Sequence, residues 1–403
     1  MTTGASSRLH GVPAAGTVWR LPRVDKVGCL VAALVVFALA AQPFVTFRAN
    51  RIVEGHGMRL DEVFPAWQAS ALYAVGAASA GFALLRARPG WRFVAGATLL
   101  LGLAVVTGLA PSRLVTSADT PLARVSLASG AWTLAFAYAV LVVDAGAKRG
   151  FGPLARLAAL TSALTVFGAL CHSGWWDGLS VMQEYAVRAD SFRQEAGRHV
   201  ALVVGAVGSA LVVGVPLGIA CAQVAPLRAT ILPALNIVQT IPSIALYGLL
   251  MVPLGLLAAH VPLAAALGIS GIGTAPALTA LFVYSLLPVV SSVVVGLRQI
   301  SPQAVEAATA MGMRPIQRLV QVELPLALPV ILAGVRIVLV QDVGLAAVAA
   351  LIGGGGFGIF IFQGIGQSAM DLVLLGAIPT IALALVSAAA FDAVAALARG
   401  GRA

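Results

Sequence analysis

The sequence predicts an all-α, polytopic membrane protein with about ten transmembrane helices. Three observations predict it. Of 403 residues, 60% are hydrophobic and only 10% charged, against about 25% charged in an average soluble domain. That leaves more apolar surface than a soluble fold of this size hides, so the bilayer is the expected solvent. Ten apolar runs punctuate the chain, and its 43 Gly and 21 Pro suit transmembrane helices, which tolerate both. The formal charge of +10 fits cytoplasmic loops against anionic membrane lipid, and no nucleic-acid partner is expected.

In order, the runs cover residues 27–47, 68–85, 93–110, 131–145, 157–174, 200–222, 231–259, 275–297, 330–352 and 372–397, each read as one span. Arg8, Arg20, Arg23 and Lys26 precede the first run as in a signal peptide. No cleavage pattern follows it, so it is read as a retained span. Ten spans put both termini on one side. With that side inside, inner segments hold 16 Lys plus Arg and outer segments eight, with Arg336 inside a span. This bias puts both termini on the cytoplasmic side. Cys29, Cys171 and Cys221 lie in apolar runs and read as small core residues.

Two parts are expected. Residues 1–174 hold five spans with little polar content, and residues 175–198 form a polar connector, helical or re-entrant. Residues 199–403 hold five further spans and nearly all the motifs. Among these, the inner loop 301–325 is the most polar. Ser301-Pro302 reads as a helix start, with Ser as N-cap and Pro in the first turn. Val305, Ala308, Met311 and Gly312 recur at helical spacing. Pro315 restarts the chain, Ile316, Leu319 and Val320 give a second apolar face, and Pro325 closes it. The expectation is a knob of two short helices; an ordinary amphipathic surface loop fits the residues equally.

Glu306-Ala307-Ala308, then Gly312, Val322 and Leu324-Pro325 resemble, at every spacing, the EAA loop of ABC-importer permeases. The resemblance implies a C-terminal five-helix type I ABC-importer permease core. It also implies that Glu306, Ala307, Ala308, Gly312, Leu324 and Pro325 couple to the ATPase. Segments 197–218, 236–246, 271–288 and 347–358 are similar to the osmoprotectant branch, which handles glycine betaine, choline and related compounds. The extra N-terminal spans look like the longer betaine-permease subtype. Three kinds of protein partner follow: cytoplasmic ABC ATPase subunits, a periplasmic or lipid-anchored substrate-binding protein, and a second permease copy or related permease. The function implied is the permease subunit of an ATP-driven osmoprotectant importer. An ABC importer for another small solute and an ion-coupled secondary transporter remain alternatives.

Neither Lys26 nor Lys148 is followed by Ser or Thr, so no phosphate-binding P-loop is present and ATP hydrolysis is expected on a separate chain. The five His form no zinc motif. No catalytic residue, metal or cofactor is expected. Polar residues inside spans are candidates for the translocation pathway. In the seventh run these are Asn236, Gln239, Pro242 and Ser243, where proline bends the helix; in the ninth they are Gln341 and Asp342. For Asp342 two readings stand: lining the pathway or the permease dimer, or bonding a neighbouring helix as structural glue. Arg336 lies six positions away on another face, which argues against a same-helix pair. Gly353–Gly356 reads as an outer gate or a flexible loop. Trp175 and Trp176 read as interface anchors rather than an aromatic cage.

Overall fold

A computed structural model describes residues 25–51, 53–115 and 122–400. Arg8, Arg20, Arg23 and Arg402 of the charge count lie outside them. The first half runs α1 (Lys26–Ala41), β1 (Val45–Arg48), β2 (His56–Met58), α2 (Leu60–Val63), α3 (Ala66–Leu84), α4 (Pro89–Leu114), β3 (Arg124–Leu127), α5 (Ser129–Lys148) and α6 (Pro153–His172). The connector forms α7 (Ser180–Val187) and the first turns of α8 (Ala189–Gln223). Then follow α9 (Ala225–Thr240), α10 (Ser243–His260), α11 (Pro262–Ala266), α12 (Thr274–Arg298), α13 (Pro302–Ala310) and α14 (Pro315–Arg318). A π-helical turn, Leu319–Glu323, leads into α15 (Leu324–Val348), and α16 (Gly358–Gly366) and α17 (Met370–Gly400) complete the chain.

The structure is an all-α polytopic membrane protein, with corrections to the expected spans. Eight helices among the described residues are long and apolar enough to cross a bilayer, not ten. The first run stops being helical at Ala41, and its last residues pass into β1. At 16 residues and about 1.5 Å each, α1 is shorter than the hydrocarbon core. The second run forms α3 but is not among the eight. The seventh run is two helices, because Ile241 takes an extended conformation (φ −70°, ψ 127°) ahead of Pro242, as the proline ring demands of its neighbour. A small sheet of order β2-β1-β3, antiparallel throughout, was not expected. Cys29 is exposed and Cys171 intermediate, so only Cys221 is a buried core residue.

Burial follows the two halves. One apolar core gathers α1, α3, α4 and α5 around Val31, Val35, Tyr138 and Leu141. The other gathers α8, α10, α12 and α15 around Ala206, Tyr247, Leu281 and Val338. Helix α6 buries none of its residues among the described chain and lies against α17. The indoles of Trp175 and Trp176 donate to the Val105 and Ala104 carbonyls of α4, at 3.1 and 2.9 Å.

The inter-span segments sort to two opposite ends, as alternation of spans requires. At one end Asp25, Arg92, Asp144 and Lys148 form a charge cluster. Lys148 Nζ lies 2.8 Å from both Asp25 and Asp144, and Arg92, almost wholly buried, pairs with Asp25. At the other end lie the sheet, α7 and the segment around residues 353–371. There Glu184 meets Arg51, Arg124 and Arg188, and Arg51 donates to Gln367.

The coupling loop and the membrane-buried polar residues

Residues 301–314 fold as the sequence predicts. Ser301 caps α13, its hydroxyl accepting from Ala304 N at 3.4 Å, and Pro302 fills the first turn. The helix ends in a Schellman motif. Met313 N donates to Ala308 O at 3.3 Å, and Gly312 N donates to Thr309 O at 2.9 Å. Gly312, one of the two donors, makes the turn itself, at φ +77°. A Cβ on Gly312 would meet nothing within 4 Å. The position therefore requires glycine for its left-handed backbone and not for space within this chain.

The second half of the loop corrects the expectation of a separate short helix closed by Pro325. Helix α14 passes through the π-turn directly into α15, and Pro325 sits at the second position of α15, immediately after that turn. Leu324, Pro325 and the spanning helix thus belong to one helical rod, from Pro315 to Ile352, while Glu306, Ala307, Ala308 and Gly312 lie ahead of it on α13 and its terminal turn. Arg318, unnoticed in the sequence, fastens the knob. Its Nη1 donates to Thr309 Oγ1 of α13 at 3.0 Å, and its Nε donates to Glu323 across the π-turn at 2.6 Å. Ala308 is buried, while Glu306, Ala307 and Gly312 are exposed and Leu324 and Pro325 are half-buried. Met311, Ile316 and Val320 present apolar side chains outward, at 70, 77 and 55% exposure.

In the seventh run, Asn236 and Pro242 are exposed, and Ser243 is half-buried in the first turn of α10. Gln239 is different. Its Nε2 donates to the Tyr284 carbonyl of α12 at 2.7 Å. That carbonyl lost its helical donor because the residue four positions on is Pro288. The Tyr284 hydroxyl in turn donates to the Ile241 carbonyl at the α9–α10 break. Two backbone acceptors freed by proline are satisfied by side chains, as a lipid environment requires.

Asp342 is fully buried between α12 and α15. Its Oδ2 lies 2.7 Å from the Ser285 hydroxyl, while Oδ1 has no hydrogen-bond partner among the described residues. Gln341 beside it is half-buried. Arg336 turns away and pairs with Asp392 of α17 at 3.1 Å, in keeping with the angular separation from Asp342. Tyr247, also buried, donates to the Leu345 carbonyl at 3.0 Å.

The glycine segment 353–356 is pinned, which its composition alone does not reveal. Glu195 Oε2 accepts from Gly356 N at 2.6 Å, and His199 Nδ1 accepts from Phe357 N at 3.3 Å. His199 Nε2 is 3.1 Å from the Val343 carbonyl, so the ring donates there and is held as one neutral tautomer. A side chain on Gly356 (φ +85°) would come within 2.8 Å of His199 Nδ1. Two polar side chains of α8 therefore clamp a loop whose backbone only glycine allows.

Two family models match the chain: the N-terminal domain of ABC transporter permease YehY over residues 25–182, and the binding-protein-dependent transport system inner membrane component over residues 214–400. The osmoprotectant import permease protein OsmW of Salmonella typhimurium is 42% identical over 47% of this chain and 83% of its own length. The choline transport system permease protein OpuBB of Bacillus subtilis is 36% identical over 47% of this chain and 79% of its own. The glycine betaine/carnitine/choline transport system permease protein OpuCB of Bacillus subtilis is 33% identical over 48% and 81%. The chain belongs to the binding-protein-dependent transport system inner membrane component family, as a permease subunit of an ABC importer with an additional N-terminal membrane region.

Proposed function

We propose that this permease imports small quaternary-ammonium osmoprotectants such as glycine betaine or choline. Residues 301–325 dock on a separate cytoplasmic ATPase, and a substrate-binding protein delivers the solute from the other side. Residues 1–174 form an accessory membrane region, 175–198 the connector and 199–403 the transport core, with both termini cytoplasmic. The observation that carries the coupling reading is the knob itself. Its Schellman turn holds Glu306 and the apolar side chains Met311, Ile316 and Val320 outward, and none of these has a covering element among the described residues. The loop continues without a break into α15, so a displacement of the knob moves the spanning helix that carries Asp342. Glu306, Ala307, Ala308, Gly312, Leu324 and Pro325 are the coupling residues on this reading. Asn236, Gln239, Pro242, Ser243, Gln341 and Asp342 form or shape the pathway. The substrate class rests on the relatives' activities.

The test is uptake of radiolabelled glycine betaine and choline by cells carrying this chain with its partner ATPase and binding protein. Uptake should stop when the ATPase is omitted and persist when a protonophore collapses the proton gradient. The reverse pattern makes the protein an ion-coupled carrier and sinks the proposal. Reporter fusions after Arg149 and Ala403 should both report the cytoplasm. Glu306→Ala should reduce uptake only partly, since an exposed ion pair with the ATPase is worth little.

A further inference from the structure

At the end that carries the sheet, a cavity of about 370 Å³ opens between the N-terminal half and the start of α17. Its polar and aromatic walls are Thr46, Arg48, Ser126, Ser129, Trp132 and Asp371. The volume is within the range of small-molecule sites.

The charges in this cavity are unusual. Arg48 pairs across the sheet with Arg124, so two like charges stand side by side, an unfavourable arrangement. Arg124 reaches Glu184 at 3.6 Å. Arg48 has no acidic partner among the described residues, and its Nε is buried without a hydrogen bond. Asp371 is buried as well, at 7% exposure. It accepts only neutral hydroxyl donors, Ser126 at 2.9 Å and Ser180 at 2.7 Å, both on Oδ2, and no cation pairs with it among the described residues. A guanidinium and a carboxylate thus line one cavity without pairing with each other. Buried charges ordinarily find opposite partners. Trp132 supplies an aromatic face beside them, still 39% exposed.

We propose that this cavity is a binding site for a small zwitterion carrying a carboxylate and a quaternary ammonium, separate from the translocation path. Arg48 takes the carboxylate through charge-assisted hydrogen bonds. Asp371 and the Trp132 face take the ammonium, one by charge and the other by cation–π attraction. The walls come from β1, β3 and α5 on one side and α17 on the other, so an occupied site ties the N-terminal half to the transport core. The site's own charges call for a zwitterion; that its ammonium is quaternary rests on the transport reading above.

The test is equilibrium binding of radiolabelled glycine betaine to the purified full-length chain in lipid nanodiscs, with neither ATPase nor binding protein present. Saturable binding is expected, with choline and acetate competing at least about tenfold more weakly, since each carries one of the two charges. Arg48→Gln and Asp371→Asn should each weaken binding by about tenfold or more. The Asn variant keeps an acceptor for both serine hydroxyls. Trp132→Leu, away from the ion pairs, should weaken betaine and choline but leave acetate competition unchanged. Thermal unfolding of each variant checks that it is folded. Absence of saturable binding up to about 100 mM, a concentration at which even very weak sites fill, overturns the proposal. So does binding that is unchanged in Arg48→Gln and Trp132→Leu, which would place the ligand elsewhere in the chain.

Discussion

Gly312 allows the proposed coupling to be tested quantitatively. Its φ of +77° closes the Schellman turn, and among the described residues, its chain neighbours aside, no atom lies within 4 Å of where its Cβ would be. A substitution therefore meets a conformational penalty and no internal clash. For an ordinary L-residue the left-handed region costs about 1–2 kcal/mol, and Asn, which visits it readily, costs less. A penalty of 1–2 kcal/mol lowers the population of the native turn about 5- to 30-fold relative to open alternatives. In Gly312→Asn, Gly312→Ala and Gly312→Val, ATPase affinity and uptake should fall in that order, with Val worst because β-branching adds to the strain. Gly312→Asp should also lose uptake, its charge adding to the strain at the docking face. Insertion into the membrane should be normal throughout. Affinity is read by titrating purified ATPase onto the permease in nanodiscs, uptake by tracer accumulation. If Ala is milder than Asn, side-chain volume in the partner's groove governs the site and the backbone account is wrong. If Val couples as well as wild type, the turn does not matter.

Three further outcomes follow from the packing. Arg318→Met removes both the bond to Thr309 and the bond to Glu323, so it should loosen α13 from the α14–α15 rod and lower transport-coupled ATP hydrolysis more than it lowers ATPase binding; equal losses in both would contradict it. Ser285→Ala removes the one side-chain donor that the buried Asp342 has among the described residues. Stability in detergent should fall by about 1–3 kcal/mol, read as a lower unfolding midpoint, and Ser285→Thr should restore most of it. At the opposite pole of the N-terminal half, the Lys148 ammonium bonded to Asp25, backed by the Arg92 guanidinium and opposed by burial, holds the Asp25 carboxyl below the ordinary carboxylate range. A lowered folded value means that its stabilisation is complete above that ordinary range and is lost as pH falls below it toward the folded value. Asp25→Asn should therefore lower the midpoint at neutral pH and flatten its decline in acid; an unchanged acid slope refutes the assignment.

Much of this architecture was legible because a bilayer enforces a simple code. A helix must satisfy its own backbone and show an apolar exterior, and the ten apolar runs mark α1, α3, α4, α5, α6, α8, α12, α15 and α17 and, in the seventh, parts of α9 and α10; α2, α7, α11 and α16 leave no such run. What the runs concealed were their interruptions. Ile241-Pro242 was read as a bend within one span, yet the extended Ile241 separates two helices. The sheet left little trace because its strands are three or four residues long, too short for a period of two to register. In the loop, the Ser301 cap and the glycine stop were readable from local chemistry. The π-turn was not, since a one-residue change of helical register carries no compositional mark. Gln239 was singled out as polar, but its task depends on Pro288 of another helix, a pairing only the fold brings together.

Two buried carboxylates, Glu195 and Asp342, show how similar residues serve different ends. Glu195 is satisfied by geometry: it accepts from the Gly356 backbone and from Arg198 at 3.0 Å, and with His199 it clamps a loop that glycine composition alone would leave mobile. Asp342 has one oxygen bonded and one orphaned, on a helix that starts at the coupling loop. A structural acid is expected to have its acceptors filled, and an orphaned acceptor in a tightly packed interior is unfavourable in this arrangement of helices. The arrangement seen here is therefore one that Asp342 disfavours. A movement of the α14–α15 rod that brought Oδ1 a donor or water would remove that cost. The knob at one end of the rod and the unfilled carboxylate in its middle thus belong to one mechanical element. On the proposed reading, ATPase-driven displacement of residues 301–325 is transmitted along α15 to the position where the transport core is least satisfied.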